Sequence, residues 1–152
     1  DQLMHIVFQI KHFNELSLTG LYTLLQLRSK VFVVEQDCVY LDADDKDQDA
    51  YHVCGYQNDE LIAYARLLKP GVRYKEASIG RVISHPGYRR FGAGKLLMQK
   101  SIEQCQLLFK TSEIKIGAQV YLLQFYENLG FIPSSPPYLE DGIPHLEMIY
   151  QP

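Results

Sequence analysis

The sequence predicts an α+β (α/β mixed) fold, a mixed central sheet with helices on both faces. Three observations lead there. Strand-like and helix-like segments follow one another as strand, helix, three strands, helix, strand, helix, strand. That order is not the strict alternation of a doubly wound parallel sheet. Apolar residues also recur at helical spacing in two long segments, and a glycine-rich turn joins a strand directly to the second of them. With 152 residues, 47% apolar and 22% charged, the chain suits one soluble domain spanning 1–152 with a sizeable core.

The β-branched and aromatic content of "HIVFQI" (5–10) reads as the first strand. From Ser17, the residues Leu21, Leu24, Leu25, Val31 and Phe32 fall at helical spacing, with Ser17 or Thr19 as cap. A polar loop, "DADDKDQD" (42–49), follows. "YHVCGY" (51–56) and "LIAYARLL" (61–68) make a hairpin about Asn58-Asp59-Glu60, and "ASIGRVIS" (77–84) is a strand that His85-Pro86-Gly87 terminates. Met98, Ile102, Cys105 and Phe109 form one buried stripe of a helix over 94–109. "EIKIGAQ" (113–119) is a strand, "LLQFYENL" (122–129) a short helix stopped by Gly130, and "HLEMIY" (145–150) the last strand.

The net charge of −3 argues against general nucleic-acid binding, which needs a basic face. No apolar run reaches the ~18–20 residues that span a bilayer, so no membrane partner is expected. The N-terminal residues lack a basic, then apolar, signal pattern. Cys38, Cys54 and Cys105 are scattered without C-x-x-C spacing, which suggests neither a disulfide framework nor a metal site. Free thiols in a reducing cytoplasm are the expectation, each filling core space as a small hydrophobe.

The stretch "YRRFGAGKLL" (88–97) carries three cations and two glycines where a strand gives way to a long helix. A helix N-terminus exposes unpaired N–H groups and a partial positive charge, and glycines let a bulky anion approach them. Arg89, Arg90 and Lys95 add charge, so the stretch describes a phosphate cradle. A Walker A reading fails because Ala93 and Gly94 stand where Lys and Ser/Thr belong. A dinucleotide G-x-G-x-x-G fails at Leu97. Arg/Gln-x-x-Gly-x-Gly/Ala does match, as Arg89-Arg90-Phe91-Gly92-Ala93-Gly94; alone, a basic turn with a glycine-tolerant helix start stays open beside it.

That pattern resembles the pyrophosphate loop of the GCN5-related N-acetyltransferases, the GNAT superfamily. A second segment, "AQVYLLQFYENLGF" (118–131), is similar to the family's N-x-x-A-x-x-x-Y-x-x-x-G-F, with Gln119 at the Asn place, Leu122 at the Ala place, and Tyr126, Gly130 and Phe131 matching. The resemblance covers roughly residues 15–150. "RSKVFVVEQ" (28–36), "AYARLL" (63–68), "IGRVIS" (79–84) and "EDGIPHLEM" (140–148) resemble the ElaA-type branch, and the early R-x-x-VF also resembles acyl-homoserine-lactone synthases of the same fold.

The resemblance implies the GNAT acyl-CoA N-acyltransferase fold and acetyl-CoA as co-substrate, with no metal. It places the pantetheine arm against the strand holding Arg81, Val82 and Ile83, where it diverges from the strand ending at Gln119. The pyrophosphate is expected on the segment Arg89, Arg90, Phe91, Gly92, Ala93, Gly94 and Lys95. Backbone N–H groups near Val82 and Ile83 are the expected oxyanion donors. Tyr126 is the implied general acid, since a phenol of pKa near 10 stays protonated at neutral pH; its alternative is an ordinary core tyrosine. Candidate bases are Glu35, His52, Glu76 and His145, with Glu35 and His145 first; a water chain could serve instead. The expected acceptor is an amine of a small molecule or peptide, and a homodimer stays open.

The loop 42–49 is not a calcium loop, because Ala50 replaces the needed Gly and Tyr56 the terminal Glu. Its plain reading is a solvated loop; the sharper one is a rim of carboxylates attracting a cationic amine. Against N-acetyl transfer stand a non-catalytic acyl-CoA sensor module and acyl-homoserine-lactone synthesis.

Overall fold

The computed structural model describes residues 5–152. Among them eight strands form one mixed sheet, as expected for the fold class: β1 (Val7–His12), β2 (Tyr51–Gln57), β3 (Glu60–Leu68), β4 (Ala77–Ser84), β5 (Ile114–Gln119), β6 (Phe131–Pro133), β7 (Tyr138–Glu140) and β8 (Ile143–Tyr150). The helices are α1 (Leu18–Arg28), α2 (Ala93–Phe109) and α3 (Leu123–Asn128). The sheet order is β1-β2-β3-β4-β5-β8-β6, with β7 also on β8. Neighbours are antiparallel except for β4 and β5, which run parallel.

Ser17 caps α1, its Oγ accepting the Gly20 N–H at 2.9 Å. Two clusters bury the sheet faces. Leu97, Met98, Ile102 and Cys105 of α2 pack with Val53, Ala65, Ile79, Ile116 and Met148. Leu24 and Leu27 of α1 and Val31 pack with Cys54, Tyr64 and Ile83. Val53 and Cys54 are adjacent on β2 yet lie in different clusters, so the helices cover opposite faces. Each fully buried leucine contributes about 1.5–3 kcal/mol.

Some expectations need correction. The first strand begins at Val7, not His5. The first helix continues past Arg28 as a π-helical turn over Ser29–Glu35, in which Gln36 N–H reaches back five residues to the Val31 carbonyl at 3.2 Å. Strands β6 and β7 had no signal, being only three residues each and shaped by pairing with β8.

The largest correction concerns the acidic loop, which is not simply solvated. Asp45 and Asp49 are exposed, but Asp42, Asp44 and Asp47 turn inward to three arginines. Arg28, at the end of α1 and fully buried, reaches Asp42 Oδ2 and Asp47 Oδ1, each at 2.7 Å. Arg66 on β3 grips Asp44 bidentately at 2.7 and 2.8 Å and Asp47 at 3.0 Å. Arg81 on β4 donates through Nε to Asp42 Oδ1 at 2.7 Å. Three cations meet three anions, so burial leaves no net charge. Sequence order hides this because the arginines come from separate elements.

His52 completes the anchor and is fully buried, so it is not a free base. Its Nε2–H donates to the Asp47 carbonyl at 3.0 Å, and its Nδ1 accepts the Tyr64 hydroxyl proton at 2.6 Å. Burial holds the imidazole below its usual range, since a charged ring would lose both solvent and the Tyr64 bond. Burial alone would raise the Asp47 carboxyl, but hydrogen bonds and charge from Arg28 and Arg66 outweigh it and hold it low. Asp44 is likewise held low by Arg66 and Arg81 against its own desolvation.

Both kinds of group bind fewer protons folded than unfolded, so stability is lost as pH falls. Loss should begin below about pH 6.5 as His52 titrates in the unfolded chain, and steepen below about 4 as the aspartates do. Asp47→Asn, leaving two buried guanidinium groups short of a charge, should cost about 3–5 kcal/mol at pH 7 in urea unfolding.

Candidate active site

The site lies where β4 and β5 part. They pair only at Ala77–Ile114 and Ser78–Lys115. Beyond those pairs, the β5-facing edge of β4 and the β4-facing edge of β5 have no strand partner among the described residues. A bulge in β4 drives the divergence: Tyr64 faces Ile83 and Arg66 faces Gly80, so Ala65 alone stands opposite Arg81 and Val82. Arg81 takes φ 52°, a left-handed conformation that costs a non-glycine residue about 1–2 kcal/mol. Its bond to the Asp42 side chain and a second one, Nη2 to the Asp42 carbonyl at 3.0 Å, hold it there.

A cleft of about 460 Å³ occupies the gap. Ile79, Gly80, Arg81 and Val82 line one wall and Ile116, Gly117 and Gln119 the other. Tyr126 of α3 and His145 of β8 reach it too, and the segment after the π-helical turn contributes Gln36, Cys38 and Tyr40. Tyr126 is almost fully buried, and desolvation raises its phenol above the usual range, so it carries a proton at neutral pH. His145, opposite Gln119 in the β5–β8 register, donates Nδ1–H to the Ile143 carbonyl at 2.7 Å. That bond leaves Nε2 as the acceptor nitrogen. Tyr138 stacks on the ring at 6.0 Å.

At the far end of β4 stands the glycine-arginine stretch. Pro86–Phe91 forms 3₁₀ turns, and Gly92 enters α2 at φ 81°, where a side chain would be strained. The N–H groups of Ala93, Gly94 and Lys95 precede the first intrahelical bond, Leu96 N–H to the Gly92 carbonyl at 3.2 Å, and no side chain caps them. Arg89 is braced by the Ser84 carbonyl at 2.9 Å and by Glu35 at 2.6 Å; Arg90 lies over the Phe91 ring at 4.9 Å. Ile83 points into the α1 cluster and pairs with Tyr64 of β3, so unlike Val82 it does not line the cleft.

The candidate bases separate. His145 lines the cleft, whereas Glu35 lies outside it, paired with Arg89. Glu76 also lies outside, 3.9 Å from Lys115. Sequence reasoning missed Arg73, Glu140 and Gly117. Arg73 Nη2 bonds Glu140 Oε1 at 3.2 Å. A Cβ on Gly117 would stand 2.8 Å from Arg73 Nη2 and 3.0 Å from the hydroxyls of Tyr74 and Tyr138, so glycine lets these tips lie where they do. A glycine inside a strand was the available signal. Among the described residues, no His, Cys, Asp and Glu group is placed to hold a metal, and no helix is long and apolar enough to cross a membrane.

A family model described as an acetyltransferase (GNAT) domain matches residues 22–152. The chain belongs to the GNAT family. Among its relatives, protein ElaA of Escherichia coli K12 is 46% identical over 145 residues, spanning 94% of this chain and 95% of ElaA. The crystal structure of Escherichia coli ElaA superposes with a TM-score of 0.90 at 44% identity, covering 97% of this chain and 100% of that one. An acyl-CoA N-acyltransferase from Pseudomonas aeruginosa gives 0.88 at 38% identity, covering 95% and 99%. The GNAT fold expected from the two motifs is therefore shown.

The GNAT cleft also sorts the cysteines. Burial pushes the Cys54 and Cys105 thiols up to about 12, while Cys38 lines the cleft, partly exposed. In the native protein Ellman's reagent should therefore titrate Cys38 alone, and all three thiols only after denaturation.

Proposed function

We propose that this GNAT protein transfers an acetyl group from acetyl-CoA directly to a primary amine of a small molecule or peptide. The observation that carries the reading is the parting of β4 from β5: the cleft between them is lined by a protonated tyrosine and a histidine with an accepting nitrogen, and an uncapped helix N-terminus follows the end of β4. The residues fit the donor. The N–H groups of Ala93, Gly94 and Lys95 would hold the pyrophosphate, with Arg89 and Arg90 supplying charge. The free β4 edge, including Val82, would bond the pantetheine amides, and Gln119 flanks them from β5.

Bound acetyl-CoA supplies an activated thioester. His145 Nε2 takes a proton from the incoming ammonium and releases it to solvent, freeing the amine's lone pair. The N–C bond forms as the carbonyl π pair moves onto oxygen, backbone N–H groups near Val82 stabilise that oxyanion, and its collapse breaks the C–S bond. The sulfur leaves with the bonding electrons, and Tyr126 protonates it. The second amine proton leaves with the amide nitrogen's loss of positive charge and passes back through the groove to reprotonate Tyr126. The chain acts as one domain, in a reducing cytoplasm that suits its three free thiols.

A thiol-release assay with acetyl-CoA and a panel of amines tests the reading. Turnover supports it; CoA binding without turnover across a broad panel would replace it with a non-catalytic acyl-CoA module. Tyr126→Phe should lower kcat about 100-fold with CoA affinity unchanged. Arg89→Ala and Gly92→Val should both weaken CoA binding in calorimetry, and neither doing so removes the pyrophosphate site.

A further inference from the structure

We infer that Glu140 and His145 form a two-acceptor seat that selects unsubstituted primary amines. The inference rests on the acetyl-transfer reading and adds a residue to it. His145 and Glu140 both line the cleft, with Nε2 and Oε2 3.7 Å apart. That is too long for a hydrogen bond between them, yet one nitrogen can stand about 2.9 Å from each. Both atoms are acceptors: Nδ1–H is committed to the Ile143 carbonyl, leaving Nε2 its lone pair, and the carboxylate only accepts.

A neutral primary amine has two N–H bonds and one lone pair. Seated here, it gives one hydrogen to Nε2 and one to Oε2. Its lone pair is left free to attack. An N-methyl amine has a single hydrogen, so one acceptor goes unpaired. The ammonium form is received by the same two atoms, Glu140 offsetting its charge while His145 takes the departing proton and passes it to solvent; with Nε2 unprotonated again, the neutral amine is seated as described.

Glu140 comes from a strand of three residues and is partly exposed, so its placement needs support. Arg73 provides it by binding the other carboxylate oxygen, Oε1, at 3.2 Å. Arg73 is itself stacked on Tyr74, 5.0 Å from the ring centroid, above the opening left by Gly117. Arg73 is thus a positioning residue, acting on the amine through Glu140.

The test compares kcat/KM for a primary amine and its N-methyl analogue, with CoA affinity measured alongside as a check of the donor groove. The wild-type protein should favour the primary amine by about 10–100-fold, the range for one hydrogen bond to a charged group. Glu140→Met should lower that preference at least about tenfold, chiefly through KM for the amine, with CoA affinity unchanged. Glu140→Gln, which keeps an acceptor oxygen, should retain part of it, and Arg73→Met should reduce it less than Glu140→Met. A wild-type preference near one, or a preference unmoved in Glu140→Met, overturns the seat while leaving acetyl transfer standing. If the wild-type protein binds CoA but acetylates no amine, both readings fall together. Should Glu140→Met not fold, the wild-type preference decides alone.

Discussion

Three arginines and three aspartates, buried or half-buried together, hold the functional half of this molecule in shape. Arg28 ends α1, Arg66 lies mid-β3 and Arg81 sits in the β4 bulge; the loop between Asp42 and Asp47 threads between them. Such a network need not exceed an apolar core of equal volume in stability. What it supplies is direction. Arg81 is kept in an unfavourable backbone conformation by two bonds to Asp42, and that conformation bends β4 away from β5. The cleft therefore depends on a loop that does not belong to the sheet.

The same network changes the meaning of the acidic run. Five aspartates in eight residues suggest a negatively charged rim. Once three are matched to arginines, little field remains to attract a cation from solution. Asp44 still lines the cleft but is committed to Arg66, while Glu140, from a different strand, lines it with an oxygen 3.7 Å from His145 Nε2.

The fold was largely legible because its long elements carry periodic signals. The stripe from Met98 to Cys105, the hairpin about Asn58-Asp59 and the strand from Ala77 to Ser84 each follow from local pattern. Strands β6 and β7 did not, since three residues cannot show a period and their form comes from β8. The glycine-arginine stretch was legible as a helix start, and Tyr126 and His145 do reach one cleft. The pairing of Glu35 with Arg89 joins positions 54 residues apart, and that of Arg73 with Glu140 joins positions 67 apart. No sequence period reports on distances of that kind.

The parting of β4 from β5 leaves two bare strand edges in the interior of a sheet. Bare edges are ordinarily the places where chains stick to one another, and proteins cover or charge them. Here the edges face each other across a wedge, with β3 and β8 completing the sheet on either side. A neighbouring chain approaching either edge meets the opposite wall first. The molecule thereby keeps strand-type hydrogen bonding on offer to a thin flexible guest while withholding it from another polypeptide sheet.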